Sequence, residues 1–299
     1  MHRAILLPVL FLSCIGFGQE ENTQHAMTQS LAVRALAFEV AGTNLPLGRV
    51  EIFVKDSPTS KPKRLVEGLN PTWSPDGRKI AYCVRLGPTS FGQVELMNAD
   101  GSGHTQLTNV KGGACPTDWS HDGEKIAFIG YGGKTPSIFV MSQSGENVTQ
   151  IGTGYGARWS ADGKQLAFCR PAERRGSSDS IWIANADGTG MTQVIEDDSQ
   201  VLEVNWLPDG KGLVFSSKRE HKHRSALYRV NVDGTGLEPI AVDNQISFFF
   251  PVPSPDGREI VADAYAGDSR EGNVVLVDLT SHHARVLAHG IHPSVLWEP

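Results

Sequence analysis

Two short stretches concentrate side chains able to grip an acidic partner. Arg170-Pro-Ala-Glu-Arg-Arg175 supplies Arg174 and Arg175, and Lys218-Arg-Glu-His-Lys-His-Arg224 supplies Lys218, Arg219, His221, Lys222, His223 and Arg224. Arginine forks match carboxylates in a bidentate way, and histidine adds sensitivity near neutral pH. The competing reading is a pair of solvated loops, the usual fate of a charge run. A second group, Asn70, Asp118, Arg158, Glu203, Asn205, His289 and His292, holds acids, bases and amides that could line one site. Its catalytic version is a metal-assisted lyase or lactonase, with Glu203, Asp118, His289 or His292 as ligands or base. That needs three or more ligands within about 2.0–2.6 Å of one ion.

The remaining chemical signals are weak. His289-Gly-Ile-His292 has no obvious further ligands nearby in sequence, so no metal is expected. Asn185-Ala-Asp-Gly-Thr-Gly-Met-Thr-Gln-Val-Ile-Glu196 imitates a calcium loop, but related stretches at Asn98 and Asn231 lack the closing acid, which favours a hairpin turn. Ser60-Lys-Pro-Lys63 lies in a turn with no helix to hold the lysine against the hydroxyl. No Gly-x-Ser-x-Gly elbow, His-Glu-x-x-His motif or phosphate-binding glycine loop is present. No cofactor and no catalytic residue is expected.

The elements that must carry these groups repeat. Trp73-Ser-Pro-Asp-Gly, Trp119-Ser-His-Asp-Gly, Trp159-Ser-Ala-Asp-Gly, Trp206-Leu-Pro-Asp-Gly and Pro253-Ser-Pro-Asp-Gly257 recur at steps of 46, 40, 47 and 47 residues. Each phrase precedes an apolar run such as Lys79-Ile-Ala-Tyr-Cys83, then a β-rich run such as Val94-Glu-Leu-Met97, often ending in a second Asp-Gly turn. Runs of this length between such turns are strands, four per unit, and the period is that of a propeller blade. The first unit lacks its opening phrase, and Ser294-Val-Leu-Trp297 supplies it from the other end. The expectation is an all-β, six-bladed propeller of four antiparallel strands per blade, closed by the C-terminal strand joining the first blade.

In that frame the tryptophan slot falls at 73, 119, 159, 206 and 297, with Pro253 in the sixth, and burial between blades explains it better than a binding platform. The repeated aspartate accepts the backbone N–H two residues on, while its glycine supplies positive φ. Residues just before the slot, Thr72, Asp118, Arg158, Asn205, Val252 and Leu296, face the channel. Asn70, Glu203, Phe249, Phe250, His289 and His292 lie near its mouth. Asp118 and Arg158 could pair across the tunnel. Long, dissimilar loops share one face, and the basic stretches fall there on blades four and five, so that face is where binding belongs.

The pattern Trp-Ser-Pro-Asp-Gly, Lys/Arg, Ile-Ala-Phe/Tyr and a third strand ending in Asp-Gly resembles the TolB-like, WD-like repeat of six-bladed propellers. The resemblance covers residues 31–299 and concerns the propeller part only. It implies a ring that binds proteins and is not itself catalytic. The chain reaches its closing strand at its last residues, so no attached hydrolase domain is expected.

Met1-His-Arg3, an apolar core from Ala4 to Phe17 and the small residues Gly16 and Gly18 read as a secretory signal over residues 1–18, followed by a polar linker over 19–30. Lipidation at Cys14 is the rival, disfavoured by the poor lipobox Phe11-Leu-Ser-Cys14. The expected location is periplasmic or secreted, with no transmembrane segment. The net charge of −6 becomes more negative still when Arg3 is removed, which argues against nucleic acid and leaves an envelope protein or an anionic glycan as partner. Cys83 and Cys169 take the same slot two blades apart, so no disulfide framework is expected.

Overall fold

The computed structural model describes residues 33–297 except 42–49, 88–89, 173–177, 198–199, 220–223, 268, 270 and 282. The leader, Cys14 and the polar linker lie outside the described residues. Six four-stranded antiparallel sheets follow one another as blades. In blade one the innermost strand is Ile291–Trp297, followed outward by Val33–Ala41, Val50–Lys55 and Lys63–Glu67. Blade two runs Leu69–Trp73, Lys79–Gly87, Ser90–Asn98 and Thr105–Gln106. The innermost strands of blades three to six are Ala114–Trp119, Tyr155–Trp159, Val201–Trp206 and Ile246–Pro253. Among the described residues no helix is long and apolar enough to cross a membrane.

Each repeat element does local work. The Asp76 carboxylate accepts the Arg78 N–H at 3.0 Å and the Ser74 hydroxyl at 2.6 Å, and Gly77 turns the chain at φ 72°. Asp122, Asp162, Asp209 and Asp256 make the same bond to the amide two residues on. The Asn185 stretch is a hairpin turn, with Asp187 accepting the Thr189 N–H at 2.9 Å. Trp119 packs with Ala81, Val94 and Leu96 of the preceding blade, and Trp206 packs with Ala167, Ile181 and Ile183 in the same way. Their indole N–H groups donate to the preceding blade's Thr72 and Arg158 carbonyls at 3.1 and 3.0 Å. Each buried indole therefore bolts one sheet to the next, and losing such a ring costs on the order of 3–5 kcal/mol.

The seam corrects one alignment. Trp73 sits opposite Ile80, and Pro253 opposite Ile260, but in blade one the partner of Leu36 is Val295, while Trp297 pairs with Val33. Val295 thus fills the tryptophan slot, and Trp297 lies two residues beyond it, half-buried against blades one and six. Ser294 consequently takes the channel position expected of Leu296, which is buried beside Trp73 instead. A recurring proline two residues before the slot, Pro71, Pro251 and Pro293, carries this register.

The cysteines overturn a second expectation. Cys83, in the middle of the second strand of blade two, bonds to Cys115, at the start of the innermost strand of blade three, with Cα atoms 5.1 Å apart. Slot counting within equivalent strands missed it because the bond joins non-equivalent strands of adjacent blades. Cys169 is buried and unpaired.

Two predictions follow from this architecture. Replacing Cys83 and Cys115 with Ala, or melting under reductant, should lower stability by about 4 kcal/mol, the chain-entropy value for a separation of 32 residues; equal melts would show the bond contributes nothing. Deleting residues 294–299 should cost more than about 3 kcal/mol, because it removes Val295, Leu296 and Trp297 and reopens two sheet edges. A truncated chain melting like the full one would overturn the closed ring.

A charged pocket at the channel mouth

The innermost strands do not enter the channel straight. Asn70, Phe250 and His292 adopt φ near +52°, at 52°, 51° and 53°, and Gly156 adopts 64°. All four stand three residues before their blade's slot residue, and each lies within a shift of register against the second strand. Bulges of this kind re-aim side chains, and left-handed non-glycine residues store strain of order 1–3 kcal/mol that the surroundings must hold. All four line a cavity of about 210 Å³ on the variable-loop side of the ring, along with Arg158, Glu203, Thr117 and Tyr131.

The exposed amides of these turns find buried carboxylates. Asp263, fully buried on the second strand of blade six, accepts the His292 N–H on both oxygens at 3.0 and 3.1 Å. Glu39, 1% exposed in the same strand position of blade one, accepts the Asn70 N–H at 2.5 Å. The Glu39 oxygen also lies 2.8 Å from His292 Nδ1, an ion-pair approach outside in-line hydrogen-bond geometry. His292 is therefore held between two carboxylates of adjacent blades, at the seam.

Electrostatics follow from burial and company. Desolvation pushes Asp263 up to about 7, against the opposing pull of His292. It likewise lifts Glu203 to about 7, despite Arg158 and His292. Burial alone would lower His292, but Glu39, Asp263 and Glu203 outweigh it and raise the imidazole to about 9. Asp118 is pushed up by desolvation, with Arg158 opposing.

The side chains expected to form the site divide. Asn70, Arg158, Glu203 and His292 meet at the mouth. Asp118 accepts the Trp159 N–H at 2.8 Å and Arg158 donates to the Thr117 carbonyl at 2.5 Å, so each is engaged with neighbouring backbone. Asn205 bridges to Pro251 O at 3.2 Å and accepts the Trp206 N–H at 2.8 Å. His289 is exposed on the outermost strand of blade six, bonded to Asn273 at 2.6 Å, away from the cavity. Phe249 packs edge-on against Tyr265 and is not part of the lining. Sequence reading missed Glu39 and Asp263. Their signal was present, a carboxylate where other blades carry Cys83, Ile129, Cys169 or Ser216 in an otherwise apolar strand. Among the described residues no group of three or more His, Cys, Asp or Glu side chains converges as a metal site.

Of the basic stretches, Arg174, Arg175, His221, Lys222 and His223 lie outside the described residues. Arg219 is exposed and Lys218 half-exposed. Arg224 donates to the Gln245 and Gly267 carbonyls, both at 3.1 Å, so its role is partly to tie the blade five loop to blade six.

A family model described as the TolB beta propeller domain matches residues 79–295. The uncharacterized peptidase YuxL of Bacillus subtilis strain 168 is 28% identical over 149 residues, 50% of this chain and 21% of that protein. The Tol-Pal system protein TolB of Francisella tularensis subsp. mediasiatica is 31% identical over 153 residues, 50% of this chain and 34% of that protein. The crystal structure of TolB from Acinetobacter baumannii has a TM-score of 0.61 at 15% identity, covering 86% of this chain and 69% of that one. The matched stretch thus spans only about a fifth to a third of these curated relatives, and the structural likeness is one of fold.

The raised acids and the raised histidine give stability one sign. Contributions from Asp263 and Glu203 are full below their ordinary values of 3.8 and 4.5 and are lost as pH rises through about 7. That from His292 is full below 6.5 and lost as pH rises through about 9. Melting temperature should therefore fall from pH 5 to pH 9.5. In His292→Asn the decline between pH 7 and 9 should flatten, and an unchanged slope in thermal melts would remove His292 as its source.

Proposed function

This chain belongs to the TolB beta propeller domain family, and from that premise we propose that it is an exported, non-catalytic binding propeller that recognises an envelope protein or an anionic glycan through its variable-loop face. The observation carrying this reading is Arg224. By binding two carbonyls of blade six it anchors the C-terminal end of the blade five loop, whose other end carries the Lys218 and Arg219 charges. Rigid blades presenting variable loops are a common arrangement for recognition. The Cys83–Cys115 bond favours an oxidising compartment, which agrees with export by residues 1–18.

The catalytic alternative, a metal-assisted lyase or lactonase at the mouth, has less behind it. His289 stands apart from Glu203, and His292 is occupied by Glu39 and Asp263. The peptidase among the relatives matches over about a fifth of its length, so its activity is not carried to this chain.

The test replaces Arg174, Arg175, Lys218, Arg219 and Lys222 with Ser and spares the structural Arg224. Folding should be kept, since exposed changes usually stay within about 0.5 kcal/mol each. Capture of the partner from envelope extract should weaken and lose much of its salt dependence, because screening acts most on exposed charges. Capture identical to wild type at low and high salt would overturn the docking face.

A further inference from the structure

Separately from the docking loops, we infer that the channel-mouth cavity binds a free α-amino acid as its zwitterion. Three charged side chains from three blades line it: Arg158 of blade four, Glu203 of blade five and His292 of blade one. Each keeps bonding capacity to offer. Arg158 gives one N–H to the Thr117 carbonyl and retains the rest of its guanidinium fork. His292 has Glu39 at Nδ1, yet 27% of its side chain is exposed and its Nε2 has no hydrogen bond among the described residues. Glu203 feels Arg158 and His292 only through space, with no hydrogen bond among its interactions. Its carboxylate lies over Gly156, where a Cβ would come within 2.6 Å of Oε2, so the position is reserved by the absence of a side chain.

The mixture of signs selects the ligand. A ligand with only a carboxylate pairs with Arg158 and His292 but meets Glu203 as a like charge, and a bare amine meets the reverse. Like charges brought together in a binding site are costly. A neutral ligand would displace the water that solvates these three groups and put no counter-charge in its place. A zwitterion answers both signs, its ammonium at Glu203 and its carboxylate at Arg158 and His292. Asp118 is within electrostatic reach of Arg158, but it does not line the cavity and its carboxylate accepts the Trp159 N–H.

Size and walls narrow the class further. At about 210 Å³ the cavity is smaller than the roughly 300–1,000 Å³ typical of drug-sized sites, which suits both charges on a single residue. Ile129, Tyr131, Tyr155 and Phe250 add apolar surface to receive its side chain. Tyr131 stacks on Phe91 at 4.3 Å, Tyr155 donates its hydroxyl to Val201 O at 2.7 Å, and Phe250 meets the His292 ring at 4.2 Å. Surfaces fixed in advance lower the ordering cost of binding, and these favour an apolar amino acid.

The test is calorimetry at pH 8, where Glu203, lifted to about 7, is ionised and His292, raised to about 9, is still cationic. Leucine, methionine and phenylalanine are each titrated free, as the N-acetyl acid, which lacks the ammonium, and as the amide, which lacks the carboxylate. At least one free amino acid should bind, and each of its blocked forms should bind at least about tenfold more weakly, the loss expected for one charge-assisted hydrogen bond. Glu203→Gln breaks no hydrogen bond, so it should melt no lower than wild type, and it should bind the free and N-acetyl forms equally. The proposal falls if no free amino acid binds, if either blocked form binds as well as the free one, or if Glu203→Gln keeps the wild-type preference. The Ser-substituted loop variant should bind the same amino acid unchanged, so failure of the docking face leaves this result intact; binding lost in that variant would move the ligand to the loops and overturn the cavity.

Discussion

The ring closes on one histidine. A propeller is free of exposed sheet edges only if its last strand pairs with its first, and here Ile291–Trp297 pairs with Val33–Ala41 across the whole length of the chain. Strand pairing alone permits slippage. What pins the register is His292, whose amide is held by Asp263 of blade six while its ring is held by Glu39 of blade one. A buried carboxylate left without a partner is costly, so a slip by one residue would strand two charges in the core. The seam is therefore fixed by polar satisfaction as much as by apolar packing.

That same device shapes the mouth. Wherever a left-handed residue opens an innermost strand, its turned backbone presents an amide sideways, and at blades one and two a buried carboxylate from the preceding blade receives it. Blade four solves the problem with Gly156, and the room so left is where the Glu203 carboxylate of blade five settles. The Cys83–Cys115 bond braces the wall from behind, in a small cluster with Leu69, Phe91 and Tyr131. Strain, charge and crosslink thus converge at one end of the channel, while the opposite face is made of near-identical Asp-Gly turns.

This division of labour separates the packed sheets from the loops they present. Interblade burial of Trp73, Trp119, Trp159 and Trp206 holds the ring from within the sheets and leaves little of that task to the described parts of the variable loops. Arg170 is an exception: it donates to Thr153 at 3.1 Å and lies over the Trp182 ring, so part of its basic loop is committed to packing. Arg224 is a second. Loop charges on this face accordingly fall into anchors and free groups, a distinction that charge counting cannot make.

The sequence by itself determined what repeats. Blade number, four strands per blade, the Asp-Gly turns and the interblade indoles all rest on short-range spacing, where a residue's neighbours in sequence are its neighbours in space. Only the tertiary structure decided the rest. Val295 replaced Trp297 in the slot because pairing with Leu36 set the register, and Cys83 found Cys115 because adjacent blades bring unlike strands together. Glu39, Asp263 and His292 come from opposite ends of the chain, and nothing local marks them as partners. A carboxylate in an apolar strand announces that it must be satisfied; which group satisfies it depends on how the ring closes.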